Sequence, residues 1–408
     1  MKKIIFKLFP VLLILSVLLP AVPAAHAEAG KTDGRSLRIV SDMGSHDEFP
    51  ENSVDAVLLA AEQGADEVRL PVKLTADGEA ILCEDDNLER ICGTEPVPVS
   101  SLTADEVAQL RVRKGSGGAA EFTEGRVPLL SEVLKAAKGK IRCLLDFDFA
   151  IRDRVYNTVK EAGALGDCDL VLRASAKKAQ SWAAALEQAP TYLLYRKTNV
   201  IFTALSVLSA AEKNGCGVFL ASSNTYGVIY GSVVGKRLPG AACAAVRISR
   251  KELSGKRADT PDYWENLIDA GYNMLITDDA ALMAQYREQS LDALRELREY
   301  TGRIQADFRL EDLRSPAYRK MKFAFGNAMS EAQRLCGKAF AGRNECENAL
   351  YALKNAVNDI ESNHERILNG EADLRLTPGR IVTAVLTVAA FAALEIFIAK
   401  KRGAAKKK

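Results

Sequence analysis

Histidine is scarce in this chain of 408 residues, with only His26, His46 and His364. His26 falls in an N-terminal leader, so the folded part keeps two, far apart in sequence. Acid/base chemistry that needs two histidines at one site is thereby excluded within a single domain. An excess of one charge sign is also missing. Lys and Arg total 55 against 53 Asp and Glu, and the two signs are interspersed, so nucleic acid is not an expected partner. None of the eight cysteines shows the Cys-x-x-Cys spacing of a zinc site.

The ends carry clearer signals. Residues 1–27 combine a Lys-rich start, an apolar run from Val11 to Leu19 and the small-residue site Ala25-His26-Ala27, the pattern of a cleaved secretory signal. Near the other end, Ile381 to Ala399 form an apolar run about long enough to cross a bilayer. The basic tail 400–408 follows as a positive-inside stop. The expectation is a single-pass protein of a bacterial plasma membrane, with residues 380–399 as the transmembrane helix, a polar linker over 364–379, an extracytoplasmic N-terminal part and a cytoplasmic tail.

Between the ends, 48% hydrophobic content allows one barrel of roughly 250 residues and a smaller module. Residues 38–90 read as strand, loop, helix, strand, turn, strand, with Val54, Leu58 and Ala61 at helical spacing and Gly64 as a stop. A βαβ unit of this length implies a parallel sheet with a right-handed crossover. Lys114 to Gly125 reads as a flexible Gly-rich loop. Further strands are expected at 141–149, 170–174, 192–195, 218–221, 242–248 and 274–277, with helices around 100–110, 177–188, 203–213 and 225–234. Trp182 and Trp264 both fall in helical stretches. Residues 288–363 then turn wholly helical, with apolar spacings of three and four that predict a three-helix antiparallel bundle. The expected fold is α/β: a TIM (β/α)8 barrel over 38–287, the all-α bundle and a single transmembrane helix.

Pro50-Glu51-Asn52-Ser53, Gly64-Ala65-Asp66, Ala76-Asp77-Gly78 and Asp85-Asp86-Asn87-Leu88-Glu89-Arg90 resemble the opening motifs of the glycerophosphodiester phosphodiesterases (GDPD), which are TIM barrels. The resemblance implies phosphodiester hydrolysis with a proton-taking group, a proton-giving group and a divalent cation held by carboxylates. Yet the family's His-Arg pair reads Ser41-Asp42 here, its second His reads Glu84, and its Glu-x-Asp metal ligands read Arg69-Leu70-Pro71. The third carboxylate persists as Asp146, and the phosphate-binding Lys becomes Asp148. On the seventh strand, Val246-Arg247-Ile248-Ser249 replaces the family's Trp-Thr-Val-Asn. No catalytic residue and no bound cofactor are therefore expected; Ca2+ or Mg2+ enters only if the chain is a diverged hydrolase. The mouth of the barrel is expected to gather Asp42, His46, Arg69, Glu84, Asp146, Asp148 and Arg247, with His46 on a solvent-exposed loop.

Two functions follow from the resemblance. The first is a catalytically degenerate barrel that binds an unidentified ligand or protein partner, or serves structurally, at the cell surface. The second is a phosphoric diester hydrolase of lipid metabolism with a relocated acid/base pair such as Glu84 and His46. Residues 288–363 resemble FIVAR-type modules, with Tyr300-Thr301, Ala328, Ala349 and Leu353 fitting the pattern, which implies a stalk. Cys336 and Cys346 flank a turn between two of its helices and are candidates for a disulfide. The Arg, Glu and Lys positions of the family all change charge sign here, to Asp42, Arg69 and Asp148. The expectation is that Arg69 stands in the vacated metal position as an internal cation, paired with one or more of Asp42, Asp146 and Asp148.

Overall fold

The structure, a computed structural model, describes residues 37–116, 121–196, 209–213, 216–220, 244–248, 259–269, 272–308 and 316–368. Its contacts divide the chain into two compact units between Glu288 and Gln289. Both membrane-related segments, 1–27 and 380–399, lie outside the described residues; of the linker expected over 364–379 only 364–368 is described, and it continues a helix instead. Among the described residues, no helix is long and apolar enough to cross a membrane.

In the first unit, eight parallel strands form a closed ring. They are β1 Arg38–Asp42, β2 Glu67–Leu74, β3 Arg142–Phe147, β4 Cys168–Leu172, β5 Thr191–Arg196, β6 Gly217–Leu220, β7 Ala244–Arg247 and β8 Met274–Thr277. Each strand pairs with the next, and β8 pairs back onto β1, with Arg38 opposite Met274. Closure leaves no unpaired barrel edge. The period-2 alternation of strands sets the interior in layers. At the N-terminal ends, Arg38 and Arg142 meet Glu67 and Asp169, with Arg142 Nη2 2.8 Å from Asp169 Oδ1 and Arg38 Nη2 3.0 Å from Asp169 Oδ2. Above them Val40, Leu144, Val171, Leu193, Phe219, Met274 and Ile276 form an apolar middle. The next inward positions, Asp42, Arg69 and Asp146, are charged again.

The local signals act as the sequence leads one to expect. Ser53 caps helix α1 (Val54–Glu62), its hydroxyl accepting from Ala56 N at 3.2 Å. Gly44, at φ +82, admits no side chain, because a Cβ there would stand 2.7 Å from the Ala56 carbonyl carbon. Helix α2 (Leu130–Ala137) turns Leu130, Val133, Leu134 and Ala137 inward, ahead of β3; α3 (Arg152–Glu161), α4 (Ala176–Ala183) and α5 (Pro261–Asp269) follow β3, β4 and β7.

Part of the loop expected over Lys114 to Gly125 is instead sheet: Phe122–Arg126 pairs antiparallel with Arg111–Arg113. The strand is almost wholly exposed, so it has no apolar alternation to read, and pairing with its neighbour alone defines it. The helix expected over 100–110 is shorter, at Ala104–Ala108, after a 3-10 turn at Val99–Ser101. Of the expected helix at 203–213 only 209–213 is described, and 225–234 lies outside the described residues.

In the second unit, three helices, α6 (Ala280–Asp307, which begins in the first unit), α7 (Pro316–Cys336) and α8 (Arg343–Leu368), enclose Leu294, Leu297, Leu335, Leu350, Leu353 and Val357. Ala349 and Leu353 lie in this core, and Tyr300 and Ala328 pack against it.

Cys336 and Cys346 are both free thiols here, in the same core cluster. Burial pushes the Cys346 thiol up to about 12 and Cys83 likewise, and Cys92 to about 11. Since the thiolate is the nucleophile, alkylation of the native protein at pH 8 should reach half-buried Cys336 first and spare Cys346, Cys83 and Cys92 until denaturant is added. Mass spectrometry of the labelled peptides checks this; equal labelling rates for Cys346 and Cys336 would contradict the packing described.

Candidate functional site

Strands β1 and β3 and the segment after Ala80–Leu82 bring three carboxylates together around Arg69 on β2. β2 sits between β1 and β3, with Arg69 in register with Asp42 on one side and Leu144 on the other. Arg69 Nη1 donates to Asp42 Oδ1 at 2.7 Å. Its Nε and Nη2 both donate to Asp146 Oδ2, at 3.0 and 2.8 Å, and Nη2 also reaches Glu84 Oε2 at 2.7 Å. Arg69 is 1% exposed. Three carboxylates therefore share one desolvated guanidinium, and the planar fork fixes where each oxygen lies.

Two of the three carboxylates proposed as partners from the sequence are thus in place, and the third is not. β3 ends at Phe147, and exposed Asp148 turns to its own backbone, accepting from Ala150 N at 2.8 Å as the cap of the 3-10 turn Phe149–Ile151. Glu84 takes its place from the segment after the short strand Ala80–Leu82. Pro71 is buried beside Asp146 in the β2–β3 register. Ser41 is fully buried, and among the described residues its hydroxyl has no hydrogen-bond partner. Arg247 ends β7, but its side chain lies outside the described residues.

His46 departs from its expected place in solvent. It is buried, with Nδ1 3.0 Å from Gly44 O. The cause is a folded-back loop: Met43 and Asn52 adopt left-handed φ of 63°, Asn52 N donates to Met43 O, and Gly115 N donates to Phe49 O, closing the loop down.

A member of the site that the sequence reading missed is Arg173, which binds Asp146 Oδ1 through Nε and Nη2 at 2.7 Å. Strand parity offered the signal: Asp169, Val171 and Arg173 alternate inward, so the residue just past β4 faces the same wall as Asp146. Burial alone would lower the Arg69 pKa, yet Asp42, Asp146 and Glu84 outweigh it and hold the guanidinium protonated well above its ordinary value. Burial would likewise raise Asp146, but Arg69 and Arg173 overcome it and hold its carboxyl below the ordinary carboxylate value.

A lowered folded-state pKa makes Asp146 a source of stability above its unfolded value of about 3.9, lost as pH falls through the folded value. The melting temperature of the wild type should therefore fall more steeply than that of Asp146→Asn as pH drops below about 4. Parallel pH profiles of melting temperature test this; identical slopes would contradict the Asp146 assignment.

The divalent cation implied by the family resemblance needs converging oxygens with room for an ion. Asp42, Glu84 and Asp146 instead converge on the nitrogens of Arg69, a cation already in position. Among the described residues, no group of three or more His, Cys, Asp or Glu is arranged to hold a metal. With Arg69 there, these residues do not fit a divalent ion.

Comparison with known proteins places the barrel among relatives. Residues 43–187 match the sequence model of the glycerophosphoryl diester phosphodiesterase family. An uncharacterised Bacillus subtilis protein, YqiK, is 32% identical over 122 residues, 30% of this chain and 46% of that protein. The glycerophosphodiester phosphodiesterase of Caldanaerobacter subterraneus subsp. tengcongensis is 31% identical over 97 residues, 24% of this chain and 39% of that one. The chain thus matches less than half the length of these curated relatives. A crystal structure of a glycerophosphoryl diester phosphodiesterase from Parabacteroides distasonis superposes with a TM-score of 0.50 at 18% identity, covering 62% of this chain and 87% of that one, which supports the shared fold. Residues 43–187 are thus similar in sequence to the glycerophosphoryl diester phosphodiesterases, and the barrel shares their fold.

Proposed function

We propose that the barrel is a non-hydrolytic member of this fold, serving as a binding or structural module on the outer face of a bacterial plasma membrane. The observation that carries the reading is the Arg69 guanidinium held by Asp42, Glu84 and Asp146. A cation fixed there leaves no oxygen cluster for a metal and commits the carboxylates as ion-pair partners. On this reading residues 1–27 are removed on export, 380–399 anchor the chain, and the FIVAR-like helical unit is a stalk.

The second reading is a diverged phosphoric diester hydrolase acting on glycerophosphodiesters, and the named activity of the Caldanaerobacter relative favours it. Glu84 and His46 would serve as its acid/base pair. Against it stands the ion pair between Glu84 and Arg69 and the carbonyl of Gly44 beside the His46 ring.

One assay separates the two: hydrolysis of glycerophosphocholine with calcium present, by wild type and Glu84→Gln. The proposal expects no turnover above buffer from either. Turnover by the wild type that Glu84→Gln abolishes would overturn it.

A further inference from the structure

Beside the Arg69 cluster, a cleft of about 1310 Å³ opens past the C-terminal ends of β3 and β4. Four cations line it, Arg152, Arg173, Lys177 and Lys178, against one carboxylate, Asp148, whose Oδ1 is committed to its own turn. Trp182 stands on the same wall. The arginines are held in place. Arg173 is anchored on Asp146 and lies over the Tyr195 ring at 5.1 Å, and Arg152 stacks on Phe149 at 4.5 Å with Asp153 3.2 Å away.

The lysines are not so engaged. Both stand in the first turn of helix α4 (Ala176–Ala183), which has no acidic residue there. Cations at a helix N-terminus oppose its dipole, and among the described residues no carboxylate pairs with Lys177 or Lys178. Like charges gathered in one concavity raise the local concentration of anions. Preset arginines beside exposed lysines suit an oxyanion, which takes forked bonds from the first and point charge from the second.

We propose that this cleft is a binding site for an organic phosphate, its phosphate group held by Arg173, Lys177 and Lys178 and its organic part lying against Trp182. The site is lateral to the Arg69 cluster and needs no metal. The inference rests on reading the barrel as a binding module, and the two fail separately: turnover of a phosphodiester sinks that reading, whereas this one is decided by binding alone.

The experiment is calorimetric titration of the full chain, in detergent, with inorganic phosphate and with nitrate at equal ionic strength. Phosphate should bind in preference to nitrate. The double variant Lys177→Gln/Lys178→Gln should weaken phosphate binding about tenfold. Lys160→Gln, which removes a surface lysine paired with Glu187 outside the cleft, should leave it unchanged. Equal melting temperatures for the variants establish that folding is intact.

Glucose 1-phosphate and dihexanoyl phosphatidic acid then identify the source. Tighter binding of the first supports the site with a soluble sugar phosphate as ligand, and tighter binding of the second supports it with a lipid headgroup. Absence of any preference for phosphate over nitrate, or a double variant that binds as the wild type does, would overturn the proposal.

Discussion

Replacing Arg69 with methionine should destabilise the barrel by about 3 to 5 kcal/mol, the range for removing one partner of a buried ion pair. The size follows from what is left behind rather than from what is lost. Asp42 and Asp146 are 3% and 2% exposed, so without the guanidinium two nearly dry carboxylates would lose their shared cation, with only the part-exposed Arg173 left on Asp146. They would take up protons or admit water, and either route costs folding free energy. Exposed pairs elsewhere set the contrast: the Arg334–Glu331 pair on α7 is half exposed on both sides and should contribute no more than about 1 kcal/mol. Urea unfolding of the two variants, Arg69→Met and Arg334→Met, measures the difference directly. Equal costs would mean that the Arg69 cluster is solvated. Replacing Arg69, Asp42 and Asp146 together by apolar residues should recover much of the loss, because the burden lies in the unpaired charge.

Asp146→Asn should have the next largest effect, about 3 kcal/mol. Asp146 binds both Arg69 and Arg173, through different oxygens. Asparagine keeps the shape and one acceptor oxygen but loses the charge and places an amide N–H against a guanidinium. Glu84→Gln should cost markedly less, since Glu84 is 25% exposed and water can stand in for its partner. The order Arg69, Asp146, Glu84 is therefore the expected ranking. A double-mutant cycle on Arg69 and Asp146 should give a coupling energy of about 1 to 3 kcal/mol. A coupling near zero would show that the two side chains do not act as a unit.

Much of this was legible in the sequence, for reasons that differ by element. The barrel could be read because β-strands of a parallel sheet are short apolar runs separated by helical patterns. Ile39 to Val40, Cys143 to Leu145 and Leu275 to Ile276 are of that kind. Arg69 could be placed because it sits between neighbours whose charges had also changed sign. What could not be read depended on where a strand stops. Asp148 shares the parity of Asp146, but β3 ends one residue before it and the side chain caps a turn instead. Glu84 was expected at the mouth, but its pairing with Arg69 comes from outside the ring, by a route no strand pattern encodes. His46 was expected in solvent, and its burial was not foreseen because it comes from Met43 and Asn52 adopting left-handed backbone, which local composition does not signal. Arg173 was legible in principle, two residues past Val171 on an inward-facing register.

Calcium titration followed by melting temperature decides whether Arg69 or a divalent ion belongs among these carboxylates. If Arg69 holds the place of the metal, millimolar calcium should leave the melting temperature of the wild type where an equal ionic strength of sodium chloride leaves it. A calcium-specific rise that Asp146→Asn abolishes would show that the carboxylates bind a divalent ion and that Arg69 yields to it.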